Sequence, residues 1–129
     1  MVEYAMKIKL AITLCLLVNA ATAQTLPLAC EQYLTALDAC TQNMVQYLER
    51  VDIKRLREVR QKQQEVRGLR ALLKKEVASK GYDVIAEHCT KPEFTRAMFD
   101  ELNSLITPLA LLQVLNSQCY GKFQEIRVR

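Results

Sequence analysis

Apolar side chains recur every three or four residues through Cys30, Tyr33, Leu34, Leu37, Cys40, Met44, Tyr47, Leu48 and Val51. That is the spacing of one face of an amphipathic helix. The stripe thins but keeps phase through Leu56, Val59, Val66, Leu69, Leu73 and Val77. No Pro interrupts residues 28–91, the first Gly is Gly68, and Gly81 stands where the run should end on a C-terminal cap. Downstream, Thr90 and Glu93 have the spacing of a capping box, and Phe94, Met98, Leu102, Leu105 and Ile106 mark the buried side of the helix it opens. Thr107-Pro108 reads as a restart, with Pro at a favourable first helical position. From Leu109 to Phe123 nearly every face carries an apolar side chain, so this last helix is expected to be the most enclosed. Nothing alternates with period two over a useful length. The class is all-α.

Near the start the pattern changes character. Lys7 and Lys9 lead into an apolar run from Leu10 to Val18, followed by Ala21-Thr22-Ala23. This is the layout of a secretory signal peptide cleaved between Ala23 and Gln24. The run is shorter than the roughly 20 residues that span a bilayer. Glu3 is unusual in the basic region, which leaves translation starting at Met1 or at Met6. The expected organisation is a signal peptide over 1–23 and a single helical domain over 24–129.

Removal of the leader takes Cys15 with it and leaves Cys30, Cys40, Cys89 and Cys119. An even count in an exported chain reads as two disulfides, and the bacterial periplasm is the expected compartment. Cys30 and Cys40 lie about 15 Å apart along one helix, beyond the roughly 7 Å between Cα atoms that a disulfide tolerates. Two pairings survive: 30–119 with 40–89, or 30–89 with 40–119. Both forbid a straight rod from Cys30 to residue 80. Such a rod would carry residue 80 about 60 Å from Cys40, while the chain from 80 to 89 reaches only about 30 Å. The chain must fold back, either near Glu49–Ile53, where Asp52 can cap a second helix, or near Arg67-Gly68. The expected fold is a small disulfide-stapled helical bundle, a helical hairpin followed by two shorter helices.

Composition narrows the chemistry. The 129 residues allow one domain, and three Gly with three Pro are too few for the turns of a small sandwich or barrel. His88 is the only His. No C-x-x-C, G-x-S-x-G, H-E-x-x-H, Walker loop or dinucleotide fingerprint occurs. His88 reads as a surface or boundary residue near a turn, and Asp38, Asp52, Asp83 and Asp100 as helix-surface or capping residues. No catalytic residue, metal ligand or cofactor is assigned.

The lopsided feature is the stretch from Lys54 to Glu76. Lys54, Arg55, Arg57, Arg60, Lys62, Arg67, Arg70, Lys74 and Lys75 face only Glu58, Glu65 and Glu76 there. The first seven of these cations form the candidate partner surface. A basic helix can meet nucleic acid, anionic headgroups or an acidic protein. Without aromatics it offers no stacking platform for single strands, and an exported chain is not expected to meet nucleic acid. The expected partner is an unknown protein or an anionic envelope surface. No transmembrane segment is expected after leader removal, and a homodimer through the apolar stripe stays open.

Ala29-Cys30-Glu31-Gln32-Tyr33-Leu34 and the late Gln118-Cys119-Tyr120 resemble an uncharacterised family of small exported Gram-negative helical proteins, whose mature chains open with a Cys-(Glu/Gln)-x-Tyr segment. The resemblance implies a Cys30–Cys119 bridge, with Cys40–Cys89 as an addition, and supplies no activity. The functional expectation is a non-enzymatic periplasmic protein that binds a macromolecular partner. The alternative is a periplasmic inhibitor or immunity protein that blocks a toxin or hydrolase.

Overall fold

A computed structural model describes residues 25–126. The expected signal peptide, its expected cleavage site and the choice of Met1 or Met6 lie outside the described residues. Five helices follow one another: α1 Leu28–Val51, α2 Ile53–Lys80, α3 Tyr82–His88, α4 Pro92–Leu111 and α5 Ser117–Gln124. The fold is all-α, a disulfide-stapled bundle built on the α1–α2 hairpin.

The fold-back occurs at Asp52 and takes a single residue. Its backbone is extended, and its carboxylate Oδ1 accepts hydrogen bonds from the Lys54 and Arg55 N–H groups at 3.1 Å. Those N–H groups would otherwise be orphaned at the start of α2. The alternative bend at Gly68 does not form, and that residue lies exposed inside α2. Gly81 ends α2 as expected. Its φ of 100° is a left-handed conformation open to Gly, and its N–H closes on the Val77 carbonyl at 3.0 Å.

α1 is the hub. The other helices pack on it, and its buried residues run from Cys30 to Leu48. At 100° per residue, the arc from Ala36 and Asn43 round to Val45 covers about 200° of its circumference. A single apolar stripe would serve one neighbour, whereas α1 serves α2 on one side and α5 on the other. The bundle is therefore most enclosed at α1, not at its last helix as the sequence suggested. Leu111 is 79% exposed and Leu112 50%, because the chain turns between α4 and α5 where a continuous helix was expected.

The two expected shorter helices become three, because α3 forms ahead of α4, and the break between the last two lies beyond Pro108. Pro108 does not restart the chain but lies inside α4. It forfeits one bond to the carbonyl of Ser104, an exposed residue whose oxygen water can reach. At the end of α4, Val114 donates to the Leu109 carbonyl at 2.9 Å and Gln113 to Ala110 at 3.1 Å. This is a Schellman ending with Gln113 at the left-handed position, φ 60°. The capping box at Thr90 is not formed either. The Thr90 hydroxyl donates back to the Glu87 carbonyl at 2.7 Å and closes α3, while Pro92 occupies the first turn of α4. Pro fits there because its missing N–H would have no helical partner.

The disulfides join Cys30 to Cys89 and Cys40 to Cys119, with Cα atoms 5.2 and 4.4 Å apart. This is the second of the two surviving pairings, and it corrects the Cys30–Cys119 bridge implied by the resemblance. The reason is direction. Cys89 precedes α4, which begins beside the start of α1, whereas α5 returns to lie against the middle of α1. An aromatic chain fills the space between α1, α4 and α5. Tyr33 packs edge-on against Phe94 and Phe99 at 5.9 and 5.4 Å, and Phe99 against Phe123 at 6.1 Å.

Candidate interaction surface

α2 touches the core through a narrow stripe, with only Leu56, Val66 and Leu73 buried. The rest of its surface is polar, and the structure does not gather the seven candidate cations into one patch. Three are spent within the fold. Arg70 reaches two carboxylates of α1, pairing with Glu31 and, at 2.7 Å, with Asp38. Burial alone would lower the Arg70 pKa, but the bonds to Glu31 and Asp38 and their charges raise it above its ordinary value. Arg60 meets Glu49 at 3.4 Å, and Lys62 crosses to Glu101 of α4 at 3.0 Å.

Lys54, Arg55, Arg57 and Arg67 have no acidic partner among the described residues, and neither do Lys74 and Lys75. Helical spacing places Lys54, Arg57, Arg67 and Lys75 toward the outward side of α2. Arg55 instead turns toward the space between α2 and α4.

That space is a groove. α2 and α4 both rest on α1 without packing closely on each other. Two cavities of about 200 and 230 Å³ lie along it, with Leu37, Met44 and Leu48 of α1 as the floor. The Lys62–Glu101 ion pair spans it. At the opposite end, a cavity of about 550 Å³ opens beside Tyr33, Tyr82, Cys89 and Thr90, with no charged side chain in its lining. Burial pushes the Tyr33 phenol above its ordinary pKa.

His88 is exposed at the end of α3, tilted against Phe94 at 5.5 Å. Its neighbour Cys89 is held in a disulfide and offers no thiolate. Among the described residues no group of three or more His, Cys, Asp or Glu could hold a metal ion. No described helix is long and apolar enough to cross a membrane.

One feature of the surface escaped the sequence reading. Val51, Ile53, Leu111 and Leu112 are 57%, 77%, 79% and 50% exposed. Val51, Leu111 and Leu112 belong to stretches that periodicity counted toward a core, while Ile53 lies in the expected fold-back. Only the turns at Asp52 and Gln113 place them outside the core.

Comparison with protein-family models, with curated proteins and with solved structures finds no match for this chain.

Proposed function

We propose that the protein is a non-enzymatic, exported helical protein that binds an anionic macromolecular surface outside the cytoplasm, after a leader over 1–23 is removed. The observation that carries this reading is the sorting of charge on α2. Arg60, Lys62 and Arg70 are spent on the fold, while Lys54, Arg57, Arg67 and Lys75 lack acidic partners. Cations that form no ion pair within the fold attract an anionic partner and set its approach. Export is supported by the four cysteines, all bonded and at most 1% exposed, since such bridges persist in oxidising compartments.

The test uses protein purified from its own cell, with the triple variant Arg57→Glu/Arg67→Glu/Lys75→Glu beside wild type. Retention by the anionic envelope fraction is expected to fall at least about tenfold in the variant, and in wild type as salt rises. Equal retention by both proteins overturns the reading. Capture of a single hydrolase in a one-to-one complex that loses activity would replace it with the inhibitor alternative.

A further inference from the structure

The end of the bundle at Asp52 combines exposed aliphatic side chains with cations that form no ion pair. Val51 and Ile53 flank the α1–α2 turn, and Leu111 and Leu112 close α4. Leu112 and Arg55 line one cavity with Leu48, which brings the two segments to the same end. Ile53 and Leu111 are the most exposed large hydrophobic side chains among the described residues, at 77% and 79%. Around them stand Arg50, Lys54, Arg55 and Arg57, none with an acidic partner. Of the carboxylates near them in the chain, Glu49 is engaged with Arg60 and Asp52 with the N–H groups of α2, which leaves Glu58 against four cations.

We infer that this end is a docking tip for an anionic lipid bilayer, with Ile53 and Leu111 entering the headgroup–acyl boundary and the four cations pairing with lipid phosphates. This deepens the anionic-surface reading and rests on it. A bilayer supplies in one place both things the tip lacks, hydrocarbon for the aliphatic side chains and fixed negative charge for the cations. A second copy of the chain is disfavoured as occupant, because a two-fold contact would bring two equally cationic tips together. An acidic protein would satisfy the arginines but gives no reason for bare aliphatic side chains at two separate turns.

The chain has no Trp, so an Ile53→Trp variant carries a single indole reporter at the tip. Its emission is expected to shift to the blue with vesicles of phosphatidylcholine plus phosphatidylglycerol, and to stay put with phosphatidylcholine alone. Adding Leu111→Ser to that variant should weaken vesicle affinity about tenfold, as expected for withdrawing a few buried methylene groups. Both sites are exposed, and an unchanged thermal midpoint confirms that the variants fold. Two results overturn the docking tip and leave the anionic-surface reading standing. One is salt-sensitive vesicle binding with the indole still in water; the other is envelope retention that survives removal of lipid. An equal blue shift on neutral vesicles overturns the role given to the cations. No association with any anionic vesicle or envelope fraction overturns both.

Discussion

The side-chain carbonyl of Asn43 accepts a hydrogen bond from the backbone N–H of Asn116 at 2.8 Å, across 73 residues of chain. The Asn43 amide also donates to the Val114 carbonyl at 3.1 Å, so one buried side chain grips the α4–α5 turn from both sides. The Asn116 side chain then caps α5 by accepting from the Cys119 N–H at 2.9 Å. The path from α1 to Cys119 is thus made of satisfied polar contacts beside the bridge to Cys40.

Replacing Asn43 with Ala removes both bonds and leaves the half-buried Val114 carbonyl and Asn116 N–H to find other partners. The expected loss is about 1–2 kcal/mol, from the usual cost of losing hydrogen bonds at partly buried groups. Urea unfolding of oxidised protein measures it. A loss below about 0.5 kcal/mol would mean that the turn is held by the disulfide and by packing alone.

Arg70 is less than a quarter exposed and reaches two carboxylates on α1. Arg70→Ala is expected to destabilise by about 1 kcal/mol, since the partners are partly in water and screening takes its share. Arg70→Lys should recover little of that, because one ammonium cannot reproduce a two-carboxylate fork. A salt series on all three proteins checks the argument, with the differences shrinking as salt rises.

Tyr33 is expected to contribute to the loss of stability at alkaline pH. Its phenol is buried and its pKa is raised by desolvation. The folded state therefore holds this proton to higher pH than the unfolded chain, whose phenol ionises near pH 10. Stability from this source is fully present below about pH 10 and is lost as pH rises through the folded value. Tyr33→Phe should flatten the fall of the unfolding midpoint above about pH 10 while leaving neutral stability within about 1 kcal/mol. An unchanged alkaline slope would assign the loss to other groups.

Two backbone substitutions should act with the same sign. Gln113 holds a left-handed φ of 60° that Gly adopts without strain, and Gly68 lies in an exposed stretch of α2 where an added Cβ meets nothing within 4 Å. Gln113→Gly and Gly68→Ala are each expected to stabilise by about 0.5–1 kcal/mol. The sites belong to different elements, so the double variant should show nearly the sum. Thermal unfolding measures all three.

What could be read beforehand follows from how local each signal is. Asp52 and Gly81 act through their own side chain or φ, and both were legible in the chain. The stripe on α1 was legible as well, but its breadth was not, because burial by α5 depends on a contact made 79 residues away at Cys119. Gln113 gave no warning, since a Schellman ending is normally announced by Gly or Asn. Pro108 misled for a related reason: near the exposed end of a helix, a lost backbone bond is cheaply met by water. Cysteine spacing removed one of three pairings. Choosing between the other two required the direction of α4, which no local pattern carries. The candidate surface was legible as a charge excess but not as a set of free cations, because the carboxylates that claim Arg60, Lys62 and Arg70 lie on other helices.

The interleaving of the two bridges has a consequence for what a protease can do to the chain. Cys30 pairs beyond Cys40, and Cys40 pairs beyond Cys89. A nick between Cys40 and Cys89, which includes all of α2, leaves halves still tied by both bridges. A nick between Cys30 and Cys40, or between Cys89 and Cys119, leaves one. Any single cut from Cys30 to Cys119 therefore yields a clipped particle of unchanged covalent membership, and a fragment is released only by a cut outside those residues or by two cuts within one cysteine-free segment.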